Sequence, residues 1–186
     1  MELELFEYYY DWIMDLVEKD MIATETQRLS FKGDMAYHEI YNKIKSFRIS
    51  ENDVLEHIWV KHNSMESVIP FREGKNPVSW FTCGLSDAVQ LINDTHSSPV
   101  NTKKLAKWVT NELQKIATKK PKKSKGFSYK GPIEITKLFD TNFGLILLRT
   151  DKIAQCNIMR EVLSLEIDGK KVKLFLKTAY PTNAAI

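Results

Sequence analysis

Between residues 132 and 178 the sequence leaves the helical period and breaks into four short apolar runs that read as strands. These are 132–139 (PIEITKLF), 143–149 (FGLILLR), 160–167 (REVLSLEI) and 171–178 (KVKLFLKT). Asp168-Gly169, between the last two, is a strong hairpin signal. Upstream of residue 119 the apolar residues recur mostly at three- and four-residue spacing. Helices first and an antiparallel sheet of about four strands afterwards predict an α+β architecture.

The first helix is expected over 2–22, where Phe6, Tyr9, Tyr10, Ile13, Leu16 and Val17 form a stripe among acidic residues. Gly33 marks a turn, and a second helix is expected over 35–47. Ser50 followed by Asp53 resembles a capping box that opens a third, with Val54, Leu55, Ile58 and Trp59 apolar and Asn63 able to close it in a left-handed conformation. Residues 64–80 read as irregular, with Pro70, Gly74 and Pro77. Further helices are expected over 86–93 and 101–118, followed by the charge-dense loop KKPKKSKG at 119–126. The acidic helical region 1–48 is read as distinct from an α+β domain over 49–186.

Charge divides along the chain. Residues 1–102 hold 9 Lys and Arg against 17 Asp and Glu, whereas residues 103–186 hold 18 against 7. The net +3 therefore joins an acidic half at −8 to a basic half at +11, the pattern of a polyanion-binding segment attached to an acidic one. Lys103, Lys104 and Lys107 on one helix, Lys122, Lys123 and Lys125 in the loop, and Lys61 and Arg149 are the candidate RNA-binding cations. No stretch approaches the roughly 18 apolar residues of a membrane span, and MELELFEYYYDW lacks the cationic start of a signal peptide. Cys83 and Cys156 are too few for a disulfide scaffold or a cysteine zinc site. The expectation is a cytoplasmic protein with no membrane, metal or cofactor requirement.

Two signatures carry the chemistry. His57 and His62 lie in DVLEHIWVKHN, and a regular helix turns His62 inward and leaves His57 at the rim beside Lys61. Histidines of different exposure can serve as acid and base near neutrality. The second signature is the final strand, Lys177-Thr178-Ala179-Tyr180-Pro181-Thr182. Strand alternation sets Lys177 and Ala179 on one face and the hydroxyls of Thr178 and Tyr180 on the other. His38 and His96 have no comparable placement.

With both signatures in view, residues 55–182 resemble the bacterial toxin ribonucleases of the barnase–EndoU–colicin–RelE superfamily, EndoU-like or CdiA-type domains above all. Those domains open with an H-x₄-H helix, here His57 and His62. They close on a strand like Lys177-Thr178-Ala179-Tyr180-Pro181. The resemblance implies metal-independent RNA cleavage through the ribose 2′-OH, leaving a 2′,3′-cyclic phosphate, with tRNA or mRNA as substrate. One histidine would be the base and the other an acid or phosphate contact; Thr178 and Tyr180 would hold phosphate or ribose, and Lys177 or Arg149 would stabilise charge. It also implies a cognate antitoxin or immunity protein, in a toxin–antitoxin or phage-defence setting. The chain departs from the pattern in its acidic extension and its lysine-rich insertion. Two other readings remain open: a non-catalytic nucleic-acid binder or repressor using residues 103–130, and a partner-inhibiting protein docking through the Tyr-rich N-terminal helix.

Overall fold

The computed structural model describes residues 27–118 and 127–184. The expected helix over 2–22 and the loop with Lys122, Lys123 and Lys125 lie outside them. Among the described residues, fifteen stretches group into seven strands and five helices: β1 (Arg28–Lys32), α1 (Tyr37–Ser46), α2 (Glu51–Val54, Leu55–Trp59 and Val60–His62), α3 (Met65–Val68, extended by a 3₁₀ turn, Ile69–Phe71), β2 (Val78–Phe81), α4 (Leu85–His96), α5 (Pro99–Thr118), β3 (Ser128–Leu138), β4 (Gly144–Leu147), β5 (Ile153–Cys156), β6 (Ile158–Asp168) and β7 (Lys171–Thr182). The helices lie mostly in the N-terminal half, and the C-terminal strands β3, β6 and β7 form a four-stranded antiparallel sheet with β1, in the order β1-β7-β6-β3. The fold is α+β, as the change of period at residue 132 requires.

The core lies between this sheet and the helices. Phe31 of β1, Ile40 and Ile44 of α1, Ile92 of α4, and Leu105, Ala106 and Val109 of α5 meet Leu163, Leu165, Val172 and Leu174 of the central hairpin. In α5 the buried positions 105, 109 and 113 follow one helical face. Polar anchors set the helix ends. Asn93 both accepts from Ile49 N and donates to Ile49 O, at 2.8 and 3.1 Å, and the buried Asn101 amide donates to Thr95 O and Thr136 O.

The boundary expected at residue 48 is not a boundary of the fold. β1 pairs with β7 along its whole length, Arg28 opposite Phe175 through Lys32 opposite Lys171. Ile40, Ile44 and Phe47 share the core of the supposed second domain. Phe31 and Lys32 end the edge strand, and the turn expected at Gly33 begins there. The region 64–80 read as irregular holds α3 and most of β2, and β2 joins β4 and the unexpected β5 in a second sheet of three strands. Val68, Trp80 and Leu147 form its own small core.

Three local expectations are refined. Ser50 Oγ accepts from Asp53 N at 3.2 Å, but the Asp53 carboxylate takes Gln27 N, so only half the capping box forms. Asn63 has φ −86°, ψ −14°, right-handed rather than left-handed, and the chain is turned there by a capping box between Ser64 and Ser67. The last hairpin turns on Gly169-Lys170, with Asp168 paired to Lys171 and Gly169 at φ +59°, the glycine-first pattern of a type II′ connection.

β4 crosses the end of β7 closely. A Cβ at Gly144 would lie 2.5 Å from Pro181 Cβ and Cγ and 2.7 Å from Trp80 O. Gly144→Ala is therefore expected to cost about 1–3 kcal/mol through overpacking, read by urea denaturation, and to displace the β7 segment that carries Tyr180.

Candidate functional site

The α2 rod is not a regular helix. Its middle stretch, Leu55–Trp59, is a π-helical turn, which inserts extra backbone into each turn and changes the angle between side chains that flank it. His57 and His62 sit on either side of part of that turn, so projection at 100° per residue does not describe them. His57 pairs with Asp53, Nε2 to Oδ1 at 3.4 Å. The other Asp53 oxygen holds Gln27 N, at the start of β1. His57 is thereby committed to the β1 side of the helix.

His62 packs against β2 and the end of β7. Its Nδ1 lies 2.9 Å from Ser79 O. A carbonyl only accepts, so Nδ1 carries the proton and Nε2 presents a lone pair. Burial lowers the His62 pKa below its ordinary value; the Ser79 bond opposes this and the Lys61 charge adds to it. The result is a neutral imidazole at pH 7, in a fixed tautomer. Its ring stacks on Tyr180, centroids 5.8 Å apart and planes at 23°. The two signatures at opposite ends of the domain do meet, through His62 and Tyr180.

Tyr180 is placed by a bulge. From the turn, β6 and β7 pair regularly to Leu163 opposite Leu176, and then Val162 faces Thr178, leaving Lys177 as the extra residue. The bulge inverts the alternation: Val172, Leu174 and Leu176 are buried before it, and Ala179 and Pro181 after it. Ala179 therefore faces the core while Lys177 is exposed, correcting the expectation that they share a face. Thr178 and Tyr180 come to the outer face, turned away from α4. On that face Arg160 lies directly opposite Tyr180, and Thr136 of β3 directly opposite Arg160. The Arg160 guanidinium carbon is 5.9 Å from the Tyr180 ring centroid. His62, Tyr180, Arg160 and Thr136 thus form one row across the strands, with Thr178 two residues along β7.

The remaining candidates stand elsewhere. Lys61 is exposed on α2 next to His62. Lys103 and Lys107 are exposed on α5, which packs in the helical layer rather than on the face bearing Tyr180. Lys104 Nζ donates to Glu134 O at 2.8 Å, tying α5 to β3. Arg149 lies beyond Leu147 in the β4–β5 turn, exposed. No group of three or more His, Cys, Asp and Glu suited to a metal ion occurs among the described residues. No helix of the described residues is long and apolar enough to cross a membrane. Comparison with protein-family models, with curated proteins and with solved structures finds no match to this chain.

Proposed function

We propose that the chain is an endoribonuclease of toxin type, cleaving RNA without a metal. The observation that supports the reading most is His62: a neutral imidazole whose Nδ1 is tied to Ser79 O, stacked on a tyrosine beside two threonines and an arginine. Nε2 takes the proton of the ribose 2′-OH as its oxygen forms the new bond to phosphorus. The P–O5′ bond breaks, the Tyr180 hydroxyl donates a proton to the leaving oxygen, and the products are a 2′,3′-cyclic phosphate and a 5′-OH. Thr178 contributes a hydroxyl to the phosphate or ribose. His57, held by Asp53, supports the α2 rod rather than the reaction. The resemblance to toxin nucleases makes a cognate inhibitor protein the expected partner.

The test is incubation of the purified chain with total RNA in excess EDTA, followed by detection of cyclic-phosphate ends. Intact RNA across tRNA, mRNA and rRNA substrates overturns the reading. Steeply salt-dependent binding without cleavage would favour the lysine-rich binder instead.

A pH profile gives a second check. The base must be neutral, and burial depresses His62, so kcat/KM is expected to fall only as pH drops through a value below the ordinary 6.5. Lys61→Gln removes a charge that holds His62 down, and the acid limb should move to higher pH. An acid limb above 6.5 would count against His62 as the base.

A further inference from the structure

We propose that Arg160 is the cation that binds the scissile phosphate in this row, the role the sequence offered to Lys177 or Arg149; the proposal rests on the ribonuclease reading and deepens it. Arg160 stands opposite Tyr180 in register, and Tyr180 touches His62. The Arg160 Nε is buried and has no hydrogen-bond partner. Arginine N–H groups that leave water are normally satisfied, as they are in Arg72, which holds Asp151 and Leu148 O, and in Arg48, which holds two backbone carbonyls. Arg160 instead lies over an aromatic ring, at best a weak acceptor for an N–H donor.

A phosphodiester supplies what is missing. It carries one negative charge on two non-bridging oxygens, and a guanidinium fork matches two such acceptors. Thr136 and Thr178 add hydroxyls on either side of the fork. Charge on the non-bridging oxygens grows as O2′ adds to phosphorus, so a donor already in place stabilises the transition state more than bound substrate. The alternatives lie poorly for this. Lys177 is the exposed residue of the bulge, and Arg149 is in a turn of the other sheet.

The experiment has two arms on the full chain. In the first, inorganic phosphate is titrated while the Arg160 Nε–Hε resonance is followed by ¹⁵N NMR; a saturable shift is expected. In the second, RNA cleavage by Arg160→Gln and Arg160→Lys is compared with wild type. Arg160→Gln should lose about 100-fold or more in kcat, the scale of one lost charge-stabilising donor, with KM little changed. Arg160→Lys should recover part of it, since an ammonium restores charge but not the fork. A phosphate-induced shift in a wild type that leaves RNA intact keeps Arg160 as a phosphate site and overturns the ribonuclease reading. Cleavage by Arg160→Gln at wild-type rate, with no shift, overturns Arg160 and leaves that reading standing. Failure of both arms removes both.

Discussion

His62→Gln is expected to lower the single-turnover rate of RNA cleavage by about 10²–10⁴-fold, the range spanned by one positioned acid–base group. Glutamine is the informative replacement because its amide N–H can still donate to Ser79 O, the contact that fixes the imidazole at 2.9 Å. It has no nitrogen that can accept the 2′-OH proton. Melting should therefore change little while chemistry is lost. Tyr180→Phe complements it: the ring that stacks on His62 at 5.8 Å stays, and only the hydroxyl goes. A phenylalanine variant slowed by a similar factor assigns the loss to the hydroxyl, whereas wild-type turnover reduces Tyr180 to a packing surface. His57→Ala should be mild in turnover, since the structure engages that ring with Asp53 at 3.4 Å. Wild-type cleavage by His62→Gln would remove His62 from the reaction.

How much of this was legible beforehand depends on the kind of information each element needs. The strong periodic segments were readable because burial of one face imposes the period: α5 was expected over 101–118 and spans Pro99–Thr118, and β6 and β7 contain the runs 160–167 and 171–178. The short strands β1, β2 and β5, of five, four and four residues, were not. Strands that short acquire identity from the neighbour they pair with, and that neighbour lies far away in sequence, as β7 does for β1. The candidate site shows the same division. His62 and Tyr180 were chosen by residue type, and nothing local announced Ser79, which acts through its carbonyl and not its side chain. Arg160 was missed for a countable reason. Counting back from Asp168 opposite Lys171 places Arg160 opposite Ala179; only the bulge at Lys177 advances the register by one and delivers Tyr180. A bulge adds one residue without a composition signal of its own. The π turn in α2 is equally silent in composition.

The largest effect on stability is expected at a buried pair outside that row. His96, at the end of α4, places Nε2 2.9 Å from Phe47 O and Nδ1 3.3 Å from Glu161 Oε1, and both side chains are almost fully enclosed. Nε2 must carry a proton, because the carbonyl only accepts; the bond to Glu161 needs one more, from either partner. Burial alone would lower His96, but the Glu161 charge and hydrogen bond, with the Phe47 carbonyl, outweigh it and hold His96 above its ordinary range. Burial likewise raises Glu161, against the pull of His96. Both shifts mean that the folded chain holds protons the unfolded chain would release, so stability falls as pH rises. The His96 contribution is fully present below pH 6.5 and is lost as pH climbs through its raised folded value. His96→Leu removes both donors and strands a carboxyl whose Oε2 already has no partner; the expected cost is about 3–5 kcal/mol near neutrality, as for other broken buried pairs. Glu161→Gln keeps a hydrogen-bonding amide against a neutral imidazole, so it should cost much less and flatten the alkaline slope. Urea denaturation of the three proteins from pH 5 to 9 decides the matter. A His96→Leu variant as stable as wild type, or a Glu161→Gln variant with an unchanged slope, would show that the pair shares no proton.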